Sequence, residues 1–444
     1  MSDIGFGLGR SLDEPKRNAA LAWCVTVALV VLAVNHGLSD AYRWFVFTWF
    51  AVAIALLPVA AFRDPYALPP WELLVLVLLP VADATVLGES PLTSVAVYVA
   101  VAAVALVATV ETDRFTSVRM THGFAVALVV LTTLAVAGAW NVAQWLTDVA
   151  LGTSYILDGR SQDAANRAMM INFAYAALAG LVAGGLFGRY FGTYSDGVAE
   201  RSSGARDGEG KEAEEGKEGE KEEETAPDDE PDPMPTLIRD RLDAPEHLVR
   251  RVSRIMQVAL AVLLLYGLVG RDLTTIVNAA VALSITFLPA VFERDAKLPL
   301  EPGLVFWLTA AVFLHVLGSA GLYALIGPWD SLTHTVSASI VAAAGYAVVR
   351  AIDLHTDDIY LPPSMLVAFI LVFVLAFGVL WELFEFAIDW SAKWLGMQAI
   401  VAQHGLSDTI VDLVYDTVGA VVAAIWGSFY LTELSERIAG RLDG

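Results

Sequence analysis

Cysteine is almost missing from this chain: Cys24 is the single one in 444 residues. Disulfides within the chain and thiolate metal sites are thereby excluded. Basic residues are also scarce, with 27 Lys and Arg against 49 Asp and Glu and a formal net charge of −22. That balance argues against nucleic acid, or an anionic lipid surface, as a partner drawn by overall charge. Long patterned polar stretches are absent, so no soluble catalytic domain is visible. There is no P-loop, no GxSxG, no HExxH and no pair of CxxC motifs, which removes the chemistries those motifs carry.

What remains is apolar. Hydrophobic residues make up 57% of the chain, and the mean hydropathy is +0.60. Runs of about 18 or more apolar residues recur along its length, the pattern of a polytopic, all-α membrane protein. The opening "MSDIGFGLGRSLDEPKRNAA" has neither a compact basic region nor a small-residue cleavage site after the first apolar run. That run therefore reads as an anchor rather than a cleaved signal.

One segment interrupts the apolar pattern. Between Asp196 and Asp232 there are 16 acids and 5 bases, a net of −11. The stretch is low in complexity and punctuated by Pro and Gly, so it reads as a disordered linker. It divides the chain into a six-helix half over 1–195, an acidic linker over 196–238 and a second six-helix half over 239–444. Helices are expected near 18–36, 42–62, 70–87, 91–110, 121–150 and 166–192. In the second half they are expected near 251–269, 272–292, 304–326, 332–352, 363–391 and 408–432. The acidic, Asp-rich loops resemble the surfaces of proteins from salt-loving archaea.

The halves look like a repeat. "LLPVAAFRD" (Leu56 to Asp64) matches "FLPAVFERD" (Phe287 to Asp295) at an offset of 231. "WNVAQWLTD" (Trp140 to Asp148) matches "WELFEFAID" (Trp381 to Asp389) at an offset of 241. Both matches fall at the same place in the helix order, and six helices per half orient the halves alike. Their chemistry is unequal. Where the second half has Glu382 and Glu385, the first has Asn141 and Gln144, and only Asp148 keeps the acid of Asp389. The first half thus reads as a structural partner with a degenerate site.

Orientation follows from Lys and Arg in the short loops. With the linker on the cytoplasmic side, ten basic residues of the second half lie inside, from Arg239 to Arg441, and two, Arg271 and Lys393, lie outside. Both termini are then cytoplasmic, in a multi-pass protein of the cell membrane.

That topology, set by basic residues alone, sends three acidic helix faces to the outer side. Glu382, Glu385 and Asp389 in "GVLWELFEFAIDW" fall at i, i+3 and i+7. Asp408, Asp412 and Asp416 fall at i, i+4 and i+8, and Asp330 and His334 at i and i+4. Each set shares one helical face. Carboxylates inside a bilayer are costly and are normally paired, hydrogen-bonded or metal-bound. No Lys or Arg stands among these stretches, so a proton or a cation must relieve the repulsion. Carboxylates with one His and no thiolate suit Mg, Mn, Zn or Fe, and helical bundles build metal sites from such i, i+3 and i, i+4 pairs. Glu382, Glu385, Asp412 and Asp416 are the candidate catalytic residues, and with His334 and Asp330 the candidate ligands of a divalent metal cation. Blander roles stand beside this. Asp330 and Asp408 sit where helix N-caps are expected, Asp389 suits a membrane interface, His315 suits packing or a hydrogen bond, and the whole set suits a polar network joining helices.

The residues "WDSLTH", "WELFEF" and "SDTIVDLVYDTVGA", with Asp330, His334, Trp381, Glu382, Glu385, Phe386, Asp408, Asp412, Asp416 and Gly419, carry a resemblance. From about Gly303 to Leu431 the chain resembles the YjdF-like family of bacterial inner-membrane proteins, and more loosely the VanZ-like membrane proteins. The resemblance implies a compact multi-helix membrane unit and no established activity. The residues admit three classes of function: divalent-metal chemistry on a lipid headgroup or lipid-linked phosphate, transport coupled to protons or cations, and a non-catalytic scaffold. Membrane lipid is the expected partner.

Overall fold

The computed structural model describes residues 15–39, 41–87, 91–206, 246–295, 302–355, 359–396 and 405–442. Most of the expected linker lies outside them. The first half comprises α1 (Pro15–Leu38), α2 (Tyr42–Phe62), α3 (Trp71–Leu87), α4 (Pro91–Phe115), α5 (His122–Leu151) and α6 (Gln162–Arg206). The second comprises α7 (Glu246–Gly270), α8 (Leu273–Ile285), α9 (Leu288–Asp295), α10 (Pro302–Leu317), α11 (Trp329–His355), α12 (Pro363–Trp394) and α13 (Leu406–Leu442). The chain is an all-α integral membrane protein. Among the described residues, ten stretches are long and apolar enough to cross a bilayer. Of the twelve expected spans, α3, with 17 described residues, is too short for that set.

Local chemistry sets the ends. Thr121 caps α5 by accepting the Phe124 N–H, and α5 stops at Gly152, whose positive φ of 68° lets its N–H return to the Asp148 carbonyl. Asp272 caps α8, accepting from the N–H groups of Thr274 and Thr275 and from the Thr275 hydroxyl at 2.6 Å.

Two spans expected as single helices are broken. The stretch read as 272–292 divides between α8 and α9 just before Pro289, which has no N–H for an intrahelical bond. Its match in the first half, Pro58, lies inside an unbroken α2. The stretch read as 304–326 gives way after α10 to a π turn over Gly318–Leu322, where Gly321 takes a φ of 132° that only glycine adopts readily.

Neighbour relations recur. In the first half α1 packs on α2 and α3, α3 on α4, and α4 on α5 and α6, with α5 beside α6. In the second, α7 packs on α8 and α10, α10 on α11, and α11 on α12 and α13, with α12 beside α13. The α2–α4 contact has no comparable α8–α11 contact among the described residues. The halves meet through α5 and α12, and a shared core joins Leu134, Met170, Phe173, Val379, Ile410 and Leu413 from both. At one membrane end Arg119 and Tyr360 exchange backbone hydrogen bonds of 3.0 Å. At the other, the Ser407 N–H donates to Gln162 at 2.9 Å, and the Trp145 indole donates to the Ser407 hydroxyl at 3.3 Å. Large apolar side chains such as Val31, Leu57, Leu181 and Leu265 are exposed along the outer faces of the bundle, where they contact lipid rather than water.

The most extensive helix pair is α11 with α13. A Cβ on Gly419 would lie 2.4 Å from the Thr335 carbonyl oxygen and 3.0 Å from Ala338. Close packing of this kind joins helices where lipid is as apolar as leucine. Gly419→Val is expected to separate the pair and cost about 1–3 kcal/mol, read as a lowered thermal midpoint. An unchanged midpoint would show that the two helices do not meet there.

Candidate functional site

The N-terminal turns of α11, the C-terminal turns of α12 and the N-terminal turns of α13 share one end of the bundle, and the candidate acids gather there. Helix periodicity places each set on one face; the glycines decide how close the faces come. A Cβ on Gly378 of α12 would sit 2.7 Å from a carboxylate oxygen of Asp416, so the bare glycine lets the α13 acid reach the α12 backbone.

His334 is the hub. Its Nδ1 lies 3.1 Å from Asp416 Oδ1, in hydrogen-bond contact. Its Nε2 lies 3.7 Å from Asp412 Oδ1 and 3.9 Å from Asp330 Oδ1. With Asp416 ionised and the imidazole neutral, the Nδ1–H donates to Asp416 Oδ1, and the Nε2 lone pair then faces Asp330 and Asp412. One ligand atom from each of Asp330, His334 and Asp412 lies within 4.8 Å of the others. Glu382, 1% exposed, interacts electrostatically with Glu385, Asp412, His334 and Asp416. Glu385, half-buried, does so with His334 and Asp330. Asp330, His334, Asp412 and Asp416 thus meet around one imidazole, and Glu382 and Glu385 stand at the same end of the bundle, on α12.

The blander roles resolve in part. Asp330 and Asp408 fall inside the first turn of α11 and α13, not at the N-cap, so the capping expectation for both is corrected. Acids in a first turn still complement the helix dipole. Asp389 is buried on α12. His315 does form a hydrogen bond, with its Nδ1 2.9 Å from the Tyr323 hydroxyl. That hydroxyl also lies 3.4 Å from Thr333 Oγ1, one residue before His334. Tyr323 interacts electrostatically with Asp330, Glu385 and Asp412. Sequence reasoning missed Tyr323 because it lies beyond the π turn, out of helical register with His315. It also missed Gly378, although a glycine four residues before Glu382 was a visible sign of close approach.

Asp148, whose motif resembles that of Asp389, has a different task. Its carboxylate accepts from the N–H groups of Tyr155, Ile156 and Leu157 at 2.7–2.8 Å and from the Thr153 hydroxyl at 2.6 Å. It ties down the loop between α5 and α6.

Residues 252–433 match the model of a family described as a predicted membrane protein family, DUF2238. Residues 7–68 match a domain of unknown function, DUF8268. The chain is 25% identical over 177 residues to an uncharacterized protein of Thermotoga maritima, a match covering 39% of this chain and 87% of that protein. No solved structure matches. The first match spans α7 to α13 up to residue 433, and so contains the whole acidic cluster.

Proposed function

We propose that the second half holds one divalent cation on Asp330, His334 and Asp412, and that this site serves chemistry on a lipid headgroup or lipid-linked phosphate. The observation that carries the reading is the two-sided use of His334. One ring nitrogen is held by Asp416, and the other is presented to two carboxylates. Ligating histidines are oriented in this way by a carboxylate on the opposite nitrogen. Two carboxylates and an imidazole without sulfur suit Mg, Mn, Zn or Fe. A divalent ion at such a place polarises a phosphoryl oxygen and acidifies water. Glu382 and Glu385 would then be the carboxylates that take a proton, and Asp416 would position the imidazole.

The basic residues of the loops support an outward-facing site with both termini cytoplasmic. The recurring helix neighbours support a division into two related halves, the first of them degenerate, with the acidic linker between. That pairing also favours a second reading, cation-coupled transport, because transporters are commonly built from such repeats. The resemblance over α10 to α13 fits either reading.

Asp416→Asn separates metal positioning from simple helix packing. The variant is expected to fold and to lose about 10–100-fold in divalent-cation affinity, measured by calorimetry on chelator-treated, re-equilibrated protein. Equal affinity in wild type and variant would remove Asp416 from the site. Proteoliposomes distinguish the readings: headgroup or phosphate release that requires the cation supports the enzyme, whereas cation uptake without release supports the transporter.

A further inference from the structure

The first half contains a cavity of about 750 Å³ bounded by α2, α4, α5, α6 and the loop between α5 and α6. Cavities that enclose small organic ligands span roughly 300–1,000 Å³. The walls are mainly aliphatic and aromatic, with Phe47 and Phe173 among the buried residues. Val46, Phe50 and Val97 line it and are exposed, so the cavity opens on the flank of α2 and α4, within helix stretches apolar enough to cross a bilayer.

Its polar groups are segregated. Arg43, at the start of α2, and Arg160, on the α5–α6 loop, both line it and are both exposed. Tyr155, from the same loop, lines it as well. The loop is held by Asp148, and Asp158 engages Arg160 through Nε at 2.7 Å, directing the guanidinium. This is the end of the bundle where α13 begins, because Gln162 and Trp145 both bond Ser407. Asn141 and Gln144, the residues matching Glu382 and Glu385, line the cavity too. Amides at those places keep negative charge out. Two guanidiniums, that of Arg160 shared through Nε with Asp158, stand at one end of an apolar, laterally open shaft with no acid among its lining residues, and fit one kind of ligand.

We infer that this cavity binds a single amphiphile with a phosphate-bearing head, its head on Arg43 and Arg160 and its chain between α2, α4, α5 and α6. Guanidinium groups meet phosphate with paired, charge-assisted hydrogen bonds. The net negative charge of the chain does not oppose this, because exposed charges beyond about 10 Å are screened at ordinary ionic strength. The degenerate site is then a lipid-binding site rather than an empty copy of the acidic one.

The test uses the full chain in an uncharged detergent with chelator present, so that it does not depend on cation binding in the second half. Hexadecyl phosphate is the probe, with inorganic phosphate and hexadecyl maltoside as controls, read by calorimetry and by intact-complex mass spectrometry. The expected result is one hexadecyl phosphate per chain. Affinity should fall at least about tenfold in Arg43→Gln/Arg160→Gln, and the two controls should bind far more weakly. Ala168→Phe, which fills the cavity without touching a charge, is expected to lower occupancy while the thermal midpoint stays near wild type. Undiminished binding in the arginine variant, or in the filled variant, overturns the inference. So does equal binding of the maltoside, which marks a detergent surface, or of inorganic phosphate, which marks a phosphate site without a lipid.

Discussion

His334→Gln is expected to abolish divalent-cation binding, with an affinity loss on the order of a hundredfold or more, beyond what an outer partner of a ligand contributes alone. The imidazole does two things at once: it contacts Asp416 at 3.1 Å and turns its second nitrogen toward Asp412 and Asp330. Glutamine has similar reach, but its amide cannot hold Asp416 with one ring nitrogen and present an imidazole lone pair with the other. Among the described residues the variant also removes the basic side chain that touches these three aspartates, so repulsion among them grows in a region of low dielectric. Wild type should gain thermal stability when Mn, Zn or Mg is added after chelation, and His334→Gln should gain none. A variant stabilised as strongly as wild type would place the ion elsewhere or nowhere.

Asp148→Asn is expected to lower stability by about 3 kcal/mol, through the loss of charge-assisted hydrogen bonds to one carboxylate. Four donors converge on one carboxylate: the backbone N–H groups of residues 155, 156 and 157 and the Thr153 hydroxyl. Hydrogen bonds to a charged group contribute about 1.5–3 kcal/mol each, and a buried donor left unmade carries a further penalty. Asparagine keeps one oxygen and turns an NH₂ group toward N–H donors, so at least one N–H loses its acceptor. The loop also carries Tyr155 and Arg160 to the cavity, so binding of hexadecyl phosphate should weaken together with stability. Asp158→Asn is the control. Its exposed contact with Arg160 should leave the thermal midpoint unchanged. If Asp148→Asn melts with wild type, the loop is held by something other than this carboxylate.

Much of the fold is legible in the sequence because lipid demands long apolar helices whose backbone groups bond within themselves. The ends of α2 and α12 fall within a few residues of their expected places. The breaks were harder. Pro58 and Pro289 occupy matching motifs, yet only Pro289 stands at a break, and a local sequence does not say which neighbours will accommodate a freed carbonyl. The π turn escaped for the same reason, since its register depends on where Tyr323 must pack.

The candidate site was legible as spacing. Glu382 with Glu385, Asp412 with Asp416, and Asp330 with His334 each share a face because 3.6 residues complete a turn. Which nitrogen of His334 meets which acid was not legible. That depends on the rotation of α11 against α13, fixed by the Gly419 contact with Thr335 and Ala338. Nor was the role of Asp148 legible, since its match to Asp389 suggested a remnant of the acidic face. Its partners lie in the following loop, where a carboxylate gathers N–H groups that no helix supplies.

Elemental analysis of the purified full chain, stripped with chelator and re-equilibrated with Mg, Mn or Zn before removal of free ion, addresses the central claim most directly. The account predicts one divalent ion per chain in wild type and none in His334→Gln. Absence of bound ion in wild type across neutral and alkaline pH, or one ion retained in the variant, would contradict it.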